Sequence, residues 1–351
     1  MHAKQYEVRP SGPYNQNRVG SSKRLNNKLN IHIDNQIYNK QIHGGISQYF
    51  NELKEGLKSN NNFELTQRPN ADIIHATYYY GRPYKLQAGQ YTVTTLYDMI
   101  PEKYPEYFKF SKFRSPHANK KNWFEASEVI ISISQASADD MDFYWPHLSR
   151  KIKIIHLSTN INEINGEPVT MSTTNGYFLF IGKRSGYKNA LILLKALYHL
   201  NKRSIFARIV FAGGGLLSRE ETSLIKRLNL ESQVTQVNVT RAQIKWLIDN
   251  AIATLIPSIS EGFSLPIIES LSCQTPVIAS DIEAHKEVGG KLVHYLPAQN
   301  AISWAEAISD RSAQKPWVTH KVLSDIYHKQ MIYYGNKRML NDHCEAYKSI
   351  L

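Results

Sequence analysis

Short apolar runs punctuate this chain, each closed by a glycine or polar turn, and several lead into an amphipathic stretch. A first series occupies residues 29–34 (L-N-I-H-I-D), 71–80, 91–102, 126–137 and 151–158, with residues 44–53 reading as a glycine turn that enters an amphipathic helix. A second series begins at residues 176–189 and continues through 208–215, 233–240 and 251–256, with helical patterns at 218–228 and 241–250. Runs this short and rich in Ile and Val predict strands buried on both faces, and helices between successive strands predict parallel pairing. The expected fold class is α/β, with two Rossmann-like doubly wound parallel sheets. Residues 1–28 are polar and read as a flexible extension, 29–158 as a first domain, 159–175 as a linker rich in Asn, Ser, Thr and Gly, 176–323 as a second domain and 324–351 as a helical segment.

Length agrees with this division, since a chain of 351 residues exceeds the roughly 250–300 at which single cores stop growing. The sequence holds no apolar run of about 18 residues and no signal-peptide pattern at residues 1–10, so a cytoplasmic, non-spanning protein is expected. Two cysteines, Cys273 and Cys344, are too few for a disulfide framework or a thiolate metal site. The formal net charge of +12 admits an acidic partner: phospholipid, nucleotide, anionic glycan or nucleic acid. Residues 103–124 interleave Lys109, Lys112, Arg114, Lys120 and Lys121 with Tyr104, Tyr107, Phe108, Phe110, Phe113, Trp123 and Phe124. That pattern suits an anionic bilayer surface, and equally a helix pair with its rings packed inward. No zinc-finger, RNP or helix-turn-helix pattern accompanies the charge, so no nucleic acid is expected as partner. Asp140 and Asp142 fall in a predicted helix and read as a solvated face, and the glycines at 213–215 lack the acidic residue of a dinucleotide site.

The candidate chemistry gathers at two strand ends. Residues 257–269, P-S-I-S-E-G-F-S-L-P-I-I-E, follow the apolar run at 251–256 and set Glu261 on a glycine turn and Glu269 on the helix it opens. Free amides at such a turn bind anions and hydroxyls, and carboxylates accept hydrogen bonds from vicinal hydroxyls. Residues 182–189, G-K-R-S-G-Y-K-N, place Lys183, Arg184 and Lys188 at another strand-to-helix turn, where clustered cations suit a diphosphate. Asp98, after the strand at 91–96, fits either an acceptor-positioning carboxylate or a turn cap. His75 and Tyr78 lie where a strand reaches the sheet's carboxyl edge, the ligand-binding edge of open α/β sheets.

The words P-S-x-x-E-G-F-x-L-P-x-x-E, continued by S-L-S-C-Q-T-P-V-I-A-S, resemble the donor-site signature of family 4 retaining glycosyltransferases of the GT-B fold. Ser264 and Gln274 stand where that family commonly has glycine. The resemblance covers roughly residues 30–300 and implies a metal-independent enzyme, without cofactor, that uses a nucleotide diphospho-sugar. It implies that Lys188 and Arg184 stabilise the departing diphosphate, with Lys183 beside them, and that Glu261, Gly262, Phe263, Ser264 and Leu265 form the sugar-holding turn. Glu269 would hold the ribose, Asn238 and Val239 the base, and Gly44 and Gly45 would face the phosphates from the first domain. Acceptor contacts would come from His75, Tyr78, Tyr97 and Ser134, with Tyr97 in the slot where relatives carry histidine. The terminal helix would pack back on the first domain. I-D-N-Q-I, G-G-I-S-Q-Y-F and H-A-T-Y-Y-Y resemble bacterial surface-polysaccharide enzymes, mannosyltransferases among them, which implies a lipid-linked acceptor at the inner face of the membrane. The competing expectations are the same fold with a soluble acceptor, and a non-catalytic binder of polyanions or nucleic acid.

Overall fold

The computed structural model describes residues 28–40, 44–108, 117–171, 176–313 and 320–351. The first sheet contains β1 (Leu29–Ile33), β2 (Phe63–Leu65), β3 (Ile73–Ala76), β4 (Tyr91–Leu96), β5 (Val129–Ser132) and β6 (Ile152–Ile154), in the order β2-β1-β3-β4-β5-β6. The second contains β7 (Phe178–Ile181), β8 (Ile209–Ala212), β9 (Val234–Val237), β10 (Ala253–Ile256), β11 (Val277–Ser280) and β12 (Val293–Leu296), in the order β12-β11-β10-β7-β8-β9. Every pairing is parallel. The central strands are buried along their whole length, as a sheet covered by helices on both faces requires. Strands β2, β11 and β12 extend the expected sheets: Phe63–Leu65 is too short and polar to announce itself, and Val277–Ser280 was legible only as part of a motif.

In the first half the helices are α1 (Gln36–Lys40), α2 (Gly45–Lys58), α3 (Ile100–Lys103), α4 (Lys120–Ala126) and α5 (Gln135–Tyr144). The second half adds α6 (Leu191–Asn201), α7 (Arg219–Arg227), α8 (Arg241–Asp249), α9 (Leu265–Ser272), α10 (Glu283–Gly289) and α11 (Ala301–Ser312). The chain ends in α12 (His320–Tyr333) and α13 (Asn336–Lys348), which break at Tyr334 and Gly335 where one continuous helical segment was expected. Reciprocal capping boxes start α7 at Ser218 and Glu221 and α8 at Thr240 and Gln243.

The terminal helix returns to the first sheet. Tyr347 and His343 of α13 are wholly buried there: the Tyr347 hydroxyl lies 2.7 Å from His75 Nδ1, and His343 Nε2 lies 2.5 Å from the Tyr49 hydroxyl of α2. The chain thus crosses between the halves twice, side by side, with the Thr159 amide donating to the Tyr334 carbonyl at 3.3 Å. Beside the crossings Glu287 of α10 accepts from the Gln135 and Ala136 amides at the start of α5, at 2.6 and 3.0 Å, and lies 2.5 Å from His156 Nε2. One apolar cluster runs through both halves, joining Ile256, Phe263, Ile267 and Val288 to Tyr97, Met99 and Tyr334. The carboxyl ends of the two sheets meet at this junction.

The stretch at 103–124 was open to two readings. In it, Lys120, Trp123 and Phe124 are buried, Lys120 bonding to Glu102 at 2.9 Å, while Tyr107 and Phe108 pack against Tyr187 of the second half. Trp123 and Phe124 thus pack inward, as the helix-pair reading of this stretch expected, while Tyr107 stays exposed at its edge. Lys109, Phe110, Lys112, Phe113 and Arg114 lie outside the described residues, as do residues 1–27 of the expected extension and 172–175 of the linker. Among the described residues no helix is long and apolar enough to cross a membrane.

Candidate functional site

Two turns are fastened together at the carboxyl edge of the second sheet. The Ile259 amide donates to the Tyr187 carbonyl at 2.7 Å, and the Asn189 side chain donates to the carbonyls of Pro257 at 3.0 Å and Ala298 at 2.8 Å. Asn189 sits at φ +55°, a left-handed conformation that Asn tolerates well, and this turns its amide toward the β10 loop. The zipper brings Lys188 to Glu261: Nζ lies 2.7 Å from Oε1 and 2.8 Å from Oε2. Ser258 adds a 2.6 Å hydrogen bond to Oε1. Burial pushes the Glu261 carboxyl up, and Lys188 with the Ser258 hydroxyl more than reverses this, holding it below the ordinary carboxylate range.

Behind this pair stands a residue the motif reading passed over. His285 of α10 is wholly buried, its Nδ1 lying 2.9 Å from the Ser280 carbonyl, while the Ser280 hydroxyl donates to the Ser258 carbonyl. Burial pushes the imidazole down to about 4, so the ring is neutral at physiological pH. Its Nε2 has no hydrogen-bond partner. Arg241 was also missed. It opens α8 directly after Asn238 and Val239 and bonds Glu269 Oε1 at 2.9 Å; its signal was a cation at the start of the helix that follows the expected base-binding loop. Asn238 is exposed, and Val239 packs on the apolar cluster beneath.

Arg184 departs from its expected task. Its Nε donates to Glu221 at 2.6 Å, Nη1 to the Gly213 carbonyl at 2.7 Å, and Nη2 to the Gly215 and Leu216 carbonyls at 2.9 and 2.8 Å. A guanidinium with nearly all its donors spent on protein braces the triple-glycine loop rather than reaching a diphosphate. Lys183 is exposed beside it.

The turn at 261–265 is pressed against the first half. A Cβ at Gly262 would fall 1.9 Å from the Tyr97 carbonyl oxygen and 3.1 Å from Asp98 Cβ, so any side chain there clashes with backbone. The Gly262 carbonyl accepts from Ser134 at 2.5 Å and Ser137 at 3.1 Å. Phe263 is buried between His156 and Tyr334. A Cβ at Gly45 would meet Leu265 Cδ1 at 2.3 Å, which places the Gly44-Gly45 turn directly opposite the start of α9. Gly262→Ala is expected to cost about 1–3 kcal/mol through overpacking, read as a lowered melting temperature, because the clash is with backbone on both sides.

The expected acceptor residues divide. Asp98 faces Gly262 across the junction, and its Oδ1 accepts from the Ile100 amide at 3.0 Å, the turn-cap geometry. Ser134 lies at the junction, but it caps α5 through the Ser137 amide at 2.9 Å and donates to Gly262. Tyr97 gives its hydroxyl to the Thr77 carbonyl at 2.6 Å and is buried, as is Tyr78, which stacks on Tyr79. His75 is corrected outright: strand alternation turns its ring into the core, where Nε2 meets Thr95 at 2.8 Å and Nδ1 meets Tyr347. Asp140 pairs with Lys103 on the α5 surface, and among the described residues no three His, Cys, Asp or Glu side chains gather to hold a metal ion.

The profile of the family described as glycosyl transferases group 1 matches residues 163–338, half of the chain. The chain belongs to that family. Among curated relatives it is 27% identical over 226 residues to the O-antigen chain mannosyltransferase RfbU of Salmonella typhimurium, covering 62% of this chain and 59% of that protein. It is 24% identical over 159 residues to the N-acetylgalactosamine-N,N'-diacetylbacillosaminyl-diphospho-undecaprenol 4-alpha-N-acetylgalactosaminyltransferase of Campylobacter jejuni, over 45% of this chain and 42% of that one. The chain therefore spans well under two thirds of the length of these relatives. Its fold is GT-B, shared with Anabaena Alr3699/HepE in complex with UDP and glucose: TM-score 0.67 over 92% of this chain and 100% of that one, at 17% identity. The match to the glycosyl transferases covers every residue from Lys188 to Glu269.

Proposed function

We propose that this chain transfers a hexose, with retention of configuration, from a nucleotide diphospho-sugar to a sugar hydroxyl of a lipid-linked oligosaccharide during assembly of a bacterial surface polysaccharide. The observation that carries this reading is the Lys188–Glu261 pair at the mouth of β7 and β10, opposite Asp98 and the Gly44-Gly45 turn. Lys188 supplies the positive charge that a departing diphosphate needs, with the amides at the start of α9 beside it. Glu261 orients that ammonium and keeps lone pairs for sugar hydroxyls, and Glu269, held by Arg241, is placed for the ribose. Arg184 contributes by fixing the glycine loop under the nucleotide. Retention follows from attack on the face that the diphosphate leaves, with a phosphate oxygen taking the acceptor's proton. The mannosyl and diphospho-undecaprenol names of the relatives support the choice of donor and acceptor classes.

Purified protein incubated with UDP- and GDP-hexoses and a lipid-diphosphate disaccharide is expected to release one nucleoside diphosphate in step with an α-linked product, read by NMR of the anomeric proton, and to do so in EDTA. Hydrolysis without transfer to any lipid-linked acceptor, or a β-linked product from an α-donor, would sink the proposal.

A further inference from the structure

The turn that opens α9 carries a serine doing none of the work a serine usually does in that place. An N-cap serine adopts extended backbone and its hydroxyl accepts from the second or third amide of the helix. Ser264 instead sits at φ +92° and ψ +70°, with no side-chain cap bond. That left-handed conformation costs a residue with a Cβ free energy that glycine avoids. The residue is 6% exposed, and its hydroxyl is buried without a hydrogen-bond partner. A buried hydroxyl left unpaired is itself unfavourable, so Ser264 carries two local penalties that a glycine would carry neither of. Its neighbours are all engaged across the junction: Gly262 with Tyr97, Phe263 with His156 and Tyr334, Leu265 with Gly45. The hydroxyl therefore lies in the seam between the halves, three residues from Glu261 and at the amide end of α9.

We infer that the Ser264 side chain is a specificity-determining contact for the transferred sugar, its Oγ hydrogen-bonding one hydroxyl of the donor hexose alongside Glu261. This rests on the donor-site reading above. A carboxylate only accepts, and a diphosphate is served by donors alone, which Lys188 and the helix amides already supply. A sugar hydroxyl both donates and accepts, and the Ser264 hydroxyl complements it in either sense. The bound sugar would satisfy the orphaned hydroxyl, so the local penalty in the empty protein becomes discrimination between donors that do and do not present a hydroxyl there.

The test compares wild type, Ser264→Ala and Ser264→Gly for binding of UDP, GDP, UDP-glucose and GDP-mannose by calorimetry, with a thermal melt of each protein. Alanine keeps the backbone conformation and removes the hydroxyl. Glycine also releases the strained conformation and is expected to raise the melting temperature by about 2 °C. Both variants are expected to bind the preferred nucleotide-sugar roughly 5- to 10-fold more weakly, as loss of one hydrogen bond predicts, and to bind the matching free nucleotide as wild type does. Equal weakening of nucleotide and nucleotide-sugar would move the contact to the diphosphate and overturn the inference. Unchanged nucleotide-sugar binding in the folded glycine variant would overturn it as well. If wild type itself binds no nucleotide, the donor-site reading fails first, an outcome visible before any variant is compared.

Discussion

Lys188→Ala is expected to lower kcat/KM for sugar transfer by about 100- to 1,000-fold, the usual loss when one preorganised group facing developing charge is removed. The loss should fall on kcat, because charge builds on the diphosphate only as the glycosidic bond breaks. Glu261→Gln is expected to reduce activity by a separate route: Lys188 loses the carboxylate that holds Nζ at 2.7 and 2.8 Å and would no longer point at the diphosphate of the proposed donor. Since the two act as a unit, the double variant should be little worse than the more damaging single one. Removing the lysine also strands a buried carboxylate. The expected cost is about 1–3 kcal/mol of stability, below the roughly 3–5 for a wholly enclosed pair, because the Lys188 side chain keeps 27% exposure. Steady-state kinetics beside a urea titration separates the two effects. A Lys188→Ala enzyme of near wild-type kcat would remove Lys188 from the reaction.

Acid is expected to unfold this protein well before its carboxylates titrate. His343 and His285 are buried, and burial pushes each imidazole from the ordinary 6.5 down to about 4. His75, packed beside His343, is driven well below the ordinary value by the same cause and by its neighbour. Above pH 6.5 these rings are neutral in both the folded and the unfolded chain and contribute no pH dependence. As pH falls from 6.5 toward 4, the unfolded chain binds protons that the folded one refuses, so stability drops across that window and levels only below it. A displacement of this size is worth about 3 kcal/mol per group, a large part of the stability of an ordinary domain. Urea midpoints between pH 7.5 and 4 should fall steeply below 6.5, and His343→Phe should flatten the slope. A midpoint constant down to pH 5 would mean these rings are reached by water or already charged in the fold.

The two histidines at the α13 contact also mark where sequence reasoning stopped. His75 looked like a ligand because it ends an apolar run at the edge where such sheets bind substrate. What removed it from the site was α13, whose Tyr347 arrives from 272 positions along the chain to take its Nδ1. The basic aromatic stretch left two readings open for the same reason: Lys120 is one cation in a run until Glu102 and the Asp98 carbonyl close over it.

What the sequence determined by itself was local or periodic. Apolar runs of strand length, helices between them and capping boxes at Ser218 and Thr240 depend on neighbours a few residues away, so the two parallel sheets and their order along the chain were legible. The motif that places Glu261 on a glycine turn before Leu265 was legible too, and so was the oddity of serine at position 264. The tertiary structure decided which side chains remain available. Arg184 and Lys188 sit four residues apart in one basic loop, yet Arg184 turns under the glycine loop to Glu221 and three carbonyls while Lys188 turns out to Glu261. His285 and Arg241 enter the constellation from other helices. Burial, partner and direction are set by contacts between distant segments, and no window of residue types contains them.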